Sequence, residues 1–332
     1  MTRGKKLFAL FGVLVVLMAS LCVVTRLNAE DEEAEPAEAV VTVDTAAVTE
    51  LSWQYGDVAY QYVKNDSGWV DPADDTFPVS PTAMDTLLAA INGMIPEKTI
   101  ADVTDLAEYG LEAPACTIYV QGDEEYSISI GGESAMGSYR YVTLDGTTVH
   151  MVDDSILGSF QVERYAMLRQ ESVPVLNNVT SVTIERKNEI IQLWYENEEW
   201  HSLEVDEETL LDTDLVKGFM DDISTLDWSY TVTHNATEKQ LKEYGLKKPA
   251  AVLTVEYAEK SQKPTDLTDS DGNAIMETIT EEKTFVLELG NVTEEGVYAR
   301  LQGSNMVYEI YESYSYEIMN ISVENLISIA EE

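Results

Sequence analysis

Cysteine is almost absent: the 332 residues contain two, Cys22 and Cys116. Cys22 lies in an N-terminal apolar run, so the rest of the chain has Cys116 alone and can form no internal disulfide. The fold must therefore be held by packing, and Cys116, in a strand-like stretch, reads as a small buried hydrophobe rather than a nucleophile. Histidine is scarce too. His150, His201 and His234 stand at no metal-ligand spacing with one another or with a cysteine, so each takes a structural reading. Positive charge is the third shortage, with 20 Lys and Arg against 61 Asp and Glu and a formal net charge of -41. Such a surface repels phosphate backbones and anionic headgroups, which excludes nucleic acid as a partner and favours cations or basic partners.

Signatures of chemistry are missing as well. Gly131-Gly132 lacks the lysine and the helix that a phosphate loop needs. The stretch Gly132-Glu133-Ser134-Ala135-Met136 falls short of a nucleophile elbow because Met136 replaces the second glycine, and a strand-to-strand loop is the wrong setting for one. Asp269-Ser270-Asp271-Gly272-Asn273 looks like half of a calcium loop. Register from the glycine, however, puts Leu267 and Thr278 where Asp and Glu are required, so the stretch reads as a turn with scope for weak external calcium binding. Carboxylates are so numerous that pairs at glycosidase spacing arise by chance, and none is distinguished. No catalytic, cofactor-binding or metal-binding residue is assigned.

What is present begins with Leu7–Val24, an apolar run of 18 residues that as a helix rises about 27 Å, just enough to cross a bilayer core. Arg3, Lys5 and Lys6 precede it, so the N-terminus is expected in the cytoplasm and everything after Arg26 outside. Leu21 before Cys22 argues against a lipoprotein. Ala29 with Leu27 two positions earlier makes a poor cleavage site, so residues 1–29 read as an uncleaved single-pass anchor. Residues 30–47 turn to Glu, Ala and Pro and read as an extended acidic tether without a core.

The central feature is Leu-x-Glu-Tyr-Gly-Leu-x-x-Pro, written at Leu106–Pro114 and again at Leu241–Pro249. If a helix runs to the tyrosine, Gly110 and Gly245 fall just past its cap, where a left-handed backbone is needed and glycine carries no Cβ penalty. Leu111 and Leu246 then fold back onto Leu106 and Leu241, and Pro114 and Pro249 launch extended chain. Thr237 with Gln240 makes a capping box, and Asp102 with Asp105 is a weaker equivalent, so a capped helix is expected over 102–109. The motif needs no ligand to explain it.

Each copy sits between a helix and a run of strands, which predicts one module duplicated: repeat 1 over 48–168 and repeat 2 over 175–332, the latter with an insertion at 258–283. In the first, strands are expected at Val48–Tyr55 and Val58–Lys64 around Gly56-Asp57, with Trp69 in a third. Ser80-Pro81 opens a helix lined by Met84, Leu87, Leu88, Ile91 and Ile95. After the motif come strands at Cys116–Gln121, Tyr126–Ile130, Tyr139–Leu144 and Thr148–Val152 and a helix near Asp154–Phe160. In the second, Val179–Glu185 and Ile190–Tyr195 form the hairpin, Trp200 takes the place of Trp69, and Leu215, Phe219, Met220 and Ile223 line the helix. Strands at Val252–Tyr257, Thr284–Leu289, Val297–Leu301 and Val307–Ile310 follow, with the insertion as a long exposed hairpin or loop tipped by Asp271-Gly272. Tyr308, Tyr311, Tyr314 and Tyr316 could offer stacking faces to a glycan, although packing explains them more simply. The fold class is thus α+β, two tandem copies of a twisted antiparallel sheet with packed helices, preceded by one transmembrane helix.

Trp69, Tyr109, Gly110, Leu111, Pro114, Ile130, Gly131 and Tyr141, matched by Trp200, Tyr244, Gly245, Leu246, Pro249, Leu289, Gly290 and Tyr298, resemble the bacterial domain-of-unknown-function 4340 family. The resemblance implies an envelope protein, often encoded near transporters of the ATP-binding cassette class, and carries no catalytic residues. Together with the anchor and tether, it leads to the expectation of a non-catalytic extracytoplasmic scaffold or binding module of an envelope complex, accessory to such a transporter, on the outer side of the cell membrane. Two other readings compete: a cell-wall-directed hydrolase using paired carboxylates, and a calcium-dependent adhesive surface built on the insertion.

Overall fold

The computed structural model describes residues 38–206, 209–268 and 274–327. The run Leu7–Val24 and the turn Asp269–Asn273 lie outside the described residues; among those described, no helix is long and apolar enough to cross a membrane. The described residues divide into two compact units, the first built from those up to Trp69 with Pro81–Met167 and the second from Val70–Ser80 with those from Leu168 onward.

In unit 1 the elements are β1 (Glu50–Tyr55), β2 (Val58–Asn65), β3 (Gly68–Val70), α1 (Pro81–Asn92), β4 (Lys98–Ile100), β5 (Cys116–Gln121), β6 (Glu125–Glu133), β7 (Tyr139–Thr143), β8 (Val149–Asp153) and α2 (Ser155–Phe160). The strands form one sheet in the order β3-β2-β1-β5-β6-β7-β8-β4. Alternation sets the buried face: Cys116, Ile118 and Val120 of β5 turn inward beside Leu51 and Trp53 of β1 and Ile128 and Ile130 of β6. Proline in the first turn starts α1, whose Met84, Leu87, Leu88 and Ile91 make a buried stripe. Ile95 departs from expectation. The helix ends at Asn92, before Gly93, and Ile95 beyond it is 48% exposed. The supposed tether also enters the fold early: Val41 and Val43 are buried, and Asn92 clamps Val43 by accepting its N–H at 2.7 Å and donating to its carbonyl at 2.9 Å. Two alternating valines with a polar clamp are enough to order this stretch.

Unit 2 repeats the order with β9 (Val179–Arg186), β10 (Glu189–Glu196), β11 (Glu199–Ser202), α3 (Thr213–Ser224), β12 (Tyr230–Thr233), α4 (Glu238–Glu243), β13 (Ala251–Thr268), β14 (Ala274–Val292), β15 (Gly296–Leu301), β16 (Val307–Tyr311) and α5 (Glu312–Asn320). Its sheet order, β11-β10-β9-β13-β14-β15-β16-β12, matches unit 1 strand for strand. Register agrees too. Leu51 opposite Val120 and Trp53 opposite Ile118 correspond to Val182 opposite Val255 and Ile184 opposite Leu253. Asp212 caps α3 by accepting the N–H groups of Asp214 and Leu215. The buried stripe of α3 is Val216, Phe219, Met220 and Ile223; Leu215, expected inside, stands one residue off that i, i+3, i+4, i+7 stripe and is 44% exposed.

One correction recurs in both halves and a second falls on unit 1 alone. The short strands β4 and β12, which close the sheet ends against β8 and β16, carry no alternation long enough to announce them. The expected helix at 102–109 is a single 3-10 turn over Ala107–Tyr109: Asp102 has φ +58°, outside the helical region, and Asp105 instead accepts the Ala107 N–H at 3.0 Å. Its counterpart α4 does carry the capping box of Thr237 and Gln240.

Candidate functional site

The duplicated motif is built from the turn outward. Gly110 and Gly245 have φ of +67° and +78°, and the N–H groups of Leu111 and Leu246 donate to the carbonyls of Leu106 and Leu241 at 3.0 and 2.8 Å. This is the six-to-one hydrogen bond of a Schellman ending. Each turn then seats on a β-bulge. The register of β6 slips between Ile130 and Glu133 and that of β14 between Leu289 and Val292, at Gly131-Gly132 and Gly290-Asn291. A Cβ on Gly131 would collide with the Tyr109 carbonyl and come within 2.8 Å of Leu111 Cγ. On Gly290 it would collide with the Tyr244 carbonyl and come within 3.1 Å of Leu246 Cγ. Tyrosines close the joint. Tyr109 meets Tyr141 edge-on at 4.9 Å between centroids, and Tyr244 meets Tyr298 at 4.6 Å. Arginines brace it: Arg140 donates to the Gly131 carbonyl at 3.1 Å, and Arg300 donates to the Leu246 carbonyl at 3.3 Å while pairing with Glu288 at 2.5 Å. The tyrosines, glycines and leucine of the family resemblance thus converge in each unit on a structural joint, whereas Trp69 and Trp200 stand in the edge strands β3 and β11.

The residues with chemical potential are scattered. Cys116 is fully buried, and burial pushes its thiol up to about 12. Ser134 is buried at the end of β6, its hydroxyl on Met151 Sδ at 3.3 Å, while Met136 is 71% exposed. His150 shares a hydrogen bond of 3.1 Å with Thr99, and burial lowers its pKa against the opposing charge of Asp145. His201 stacks on Trp194 at 5.7 Å. Tyr308 is fully buried and stacks on Trp228 at 4.2 Å, whereas Tyr311 and Tyr316 are more than half exposed, so the expected tyrosine cluster is dispersed.

Among the described residues, His234 makes an arrangement that imitates a catalytic triad. Its Nε2 lies 3.0 Å from Asp74 Oδ2 and 3.4 Å from Thr76 Oγ1, and Thr76 donates to Asp74 Oδ1 at 2.6 Å. A proton relay needs the carboxylate on one ring nitrogen and the hydroxyl on the other. Here both address the same nitrogen, so the group is a clasp that holds the Val70–Ser80 segment within unit 2, with Asn235 donating to Thr76 at 3.1 Å and Phe77 edge-on to the imidazole. Sequence gave no sign of it, because 160 positions separate the partners. Among the described residues, no group of three or more His, Cys, Asp or Glu could hold a metal ion.

The feature most open to a partner is the insertion. β13 pairs with β9 only over Ala251–Tyr257, and β14 pairs with β15 only from Leu287 onward. Between Ala258–Glu282 and Pro264–Met276 the two strands pair with each other alone, making a two-stranded arm with an outward edge on either side. Ile275 is 45% and Met276 50% exposed on it, and Glu259 pairs with Lys283 near its base.

A family model described as "Domain of unknown function (DUF4340)" matches residues 69–249 and 200–330. The two matches begin at Trp69 and Trp200, buried residues of β3 and β11 that stand at equivalent places in the two units. No curated protein and no solved structure matches the chain.

Proposed function

The chain belongs to the DUF4340 family, whose matches span most of it, and from that premise we propose a non-catalytic extracytoplasmic binding module of an envelope complex, accessory to a transporter. In this reading Leu7–Val24 anchors the chain with its N-terminus in the cytoplasm, and the acidic segment after it spaces the two units from the membrane. The observation that carries the proposal is the arm. Its outer edges present rows of backbone N–H and C=O groups to solvent, and exposed strand edges of this kind recruit extended segments of other chains by strand addition. Exposed Ile275 and Met276 supply apolar contacts beside that edge, and the acidic balance of the protein selects a basic partner segment.

The test is site-specific photo-crosslinking in native membranes, with the anchor intact. A crosslinker at Thr278 on the arm is expected to capture a transporter subunit that one at Asp123, in the β5–β6 turn, does not. Replacing 258–283 by a two-residue turn is expected to abolish co-purification while leaving the folded content unchanged. Recovery of the same partner without the arm, or a chain that crosslinks to nothing, would refute the reading.

A further inference from the structure

Comparing the two units locates a place where the side chain laid against a shared tryptophan differs, the tryptophan itself being buried in both. Trp69 and Trp200 occupy equivalent positions in β3 and β11, and the residue five before each, Lys64 and Tyr195, sits at the matching position of β2 and β10. In unit 1 the Lys64 ammonium lies over the Trp69 ring, 5.8 Å from its centroid, and covers it from within the chain. In unit 2 Tyr195 replaces the lysine, its ring 5.4 Å from that of Trp200 and inclined at 48°. The two rings border a pocket of about 280 Å³, close to the lower end of the usual small-ligand range. Asn177 and Asn178 from the chain leading into β9, and Thr213, Lys217 and Asp221 from α3, complete its polar lining. Tyr195 is 42% exposed, so the aromatic wall is reachable from solvent.

The chemistry of this lining selects among ligands. An anion must approach through the field of a chain with net charge -41, and a cation meets Lys217 inside the pocket. A neutral polyhydroxyl ligand uses everything present. The ammonium donates to hydroxyls, the carboxylate accepts from them, and the two amides do both. Trp200 is buried behind the wall, and the exposed ring of Tyr195 offers the flat apolar surface on which the C–H face of a pyranose ring stacks. Nor does the fold demand this arrangement, because unit 1 builds the same strands with a lysine at the tyrosine's place. We infer that the pocket between β10, β11 and α3 of unit 2 is a saccharide-binding site that holds one sugar ring of a longer glycan. This goes beyond the partner-binding role of the arm and stands whether or not that role does.

The experiment uses the full-length chain in a detergent without a sugar headgroup, with chitotetraose, maltotetraose and cellotetraose as probes. Saturation-transfer NMR is expected to show ring C–H protons of at least one probe receiving magnetisation, with saturable binding in calorimetric titration. Tyr195→Lys, which copies unit 1, and Asp221→Ala are both at exposed positions and should each weaken that binding by about tenfold or more, while Tyr195→Phe stays within about threefold. Circular dichroism confirms that the variants are folded. Failure of all three probes to bind saturably, or a Tyr195→Lys variant that binds like the parent, would overturn the assignment.

Discussion

Gly131→Ala and Gly290→Ala place the same methyl group at the same joint of the two units. In each case the new Cβ meets the tyrosine carbonyl of the turn that seats on the bulge, and a carbonyl in a hydrogen-bonded turn cannot rotate away as a side-chain tip can. Leu111 Cγ at 2.8 Å and Leu246 Cγ at 3.1 Å from the added atom close the second escape route. Overpacking of this kind costs about 1–3 kcal/mol, and the backbone displacement places both variants toward the upper end, about 2–3 kcal/mol. For units of this size that is a fall of roughly 5–10 °C in midpoint. Gly218→Ala is the control: this residue lies inside α3 with nothing within 4 Å of the added carbon, so the change should stabilise by about 0.5–1 kcal/mol through helix propensity. Thermal denaturation followed by circular dichroism gives the midpoints, and amide hydrogen exchange assigns each loss to its own unit. If either glycine variant melts within about 1 °C of the parent, the turn does not sit on the bulge as described.

Glu288→Gln strands the Arg300 guanidinium in a setting where the pair is 11–16% exposed, so unit 2 should lose about 2–3 kcal/mol in urea titration. Lys247→Ala, at the exposed pair with Glu238, should lose less than about 0.5 kcal/mol. The Asp145 carboxyl accepts the N–H groups of Thr148 and Thr147 at 2.6 and 2.7 Å, which hold it well below the usual carboxylate range. Its contribution is therefore present above the unfolded value near 4 and lost as pH falls through the lower folded value, so the stability gap between the parent and Asp145→Asn should close between about pH 5 and pH 1. Cys116 should resist iodoacetamide at about pH 8 in the native chain and react in urea, as read by peptide mass spectrometry; labelling in the native state would contradict its burial.

What the sequence made legible was what short-range physics dictates. A left-handed glycine followed by leucine and proline ends a helical turn in both units, the Thr237–Gln240 box starts α4, and Gly56-Asp57 joins β1 to β2, as the residue types require. Of the two forms expected for the insertion, hairpin or loop, the pairing of β13 with β14 shows the hairpin. What escaped depends on partners far along the chain. Three- and four-residue strands such as β4 and β12 exist because β8 and β16 offer an edge, not because their own residues alternate. The bulge at Gly131-Gly132 and Gly290-Asn291 is visible only when the tyrosine carbonyl above it is in place. Asp102 looked like a helix start, but only one turn follows it. The Asp74–His234 clasp and the membership of Val70–Ser80 in unit 2 are likewise long-range outcomes, and no local pattern encodes them. The aromatic pocket was half legible: Trp200 stood out as the partner of Trp69, whereas the significance of Tyr195 appears only once Lys64 is seen over the equivalent ring.

Duplication of one module is the claim on which the rest depends, and a crystal structure of the chain tests it most directly when the eight strands of one unit are superposed on those of the other. The account predicts that Gly110 and Gly245 then coincide with positive φ, each turn resting on a bulge at Gly131 and Gly290 with the tyrosine pairs 109–141 and 244–298 overlaid. A structure in which only one unit has the bulge, or in which the two strand orders differ, would contradict it.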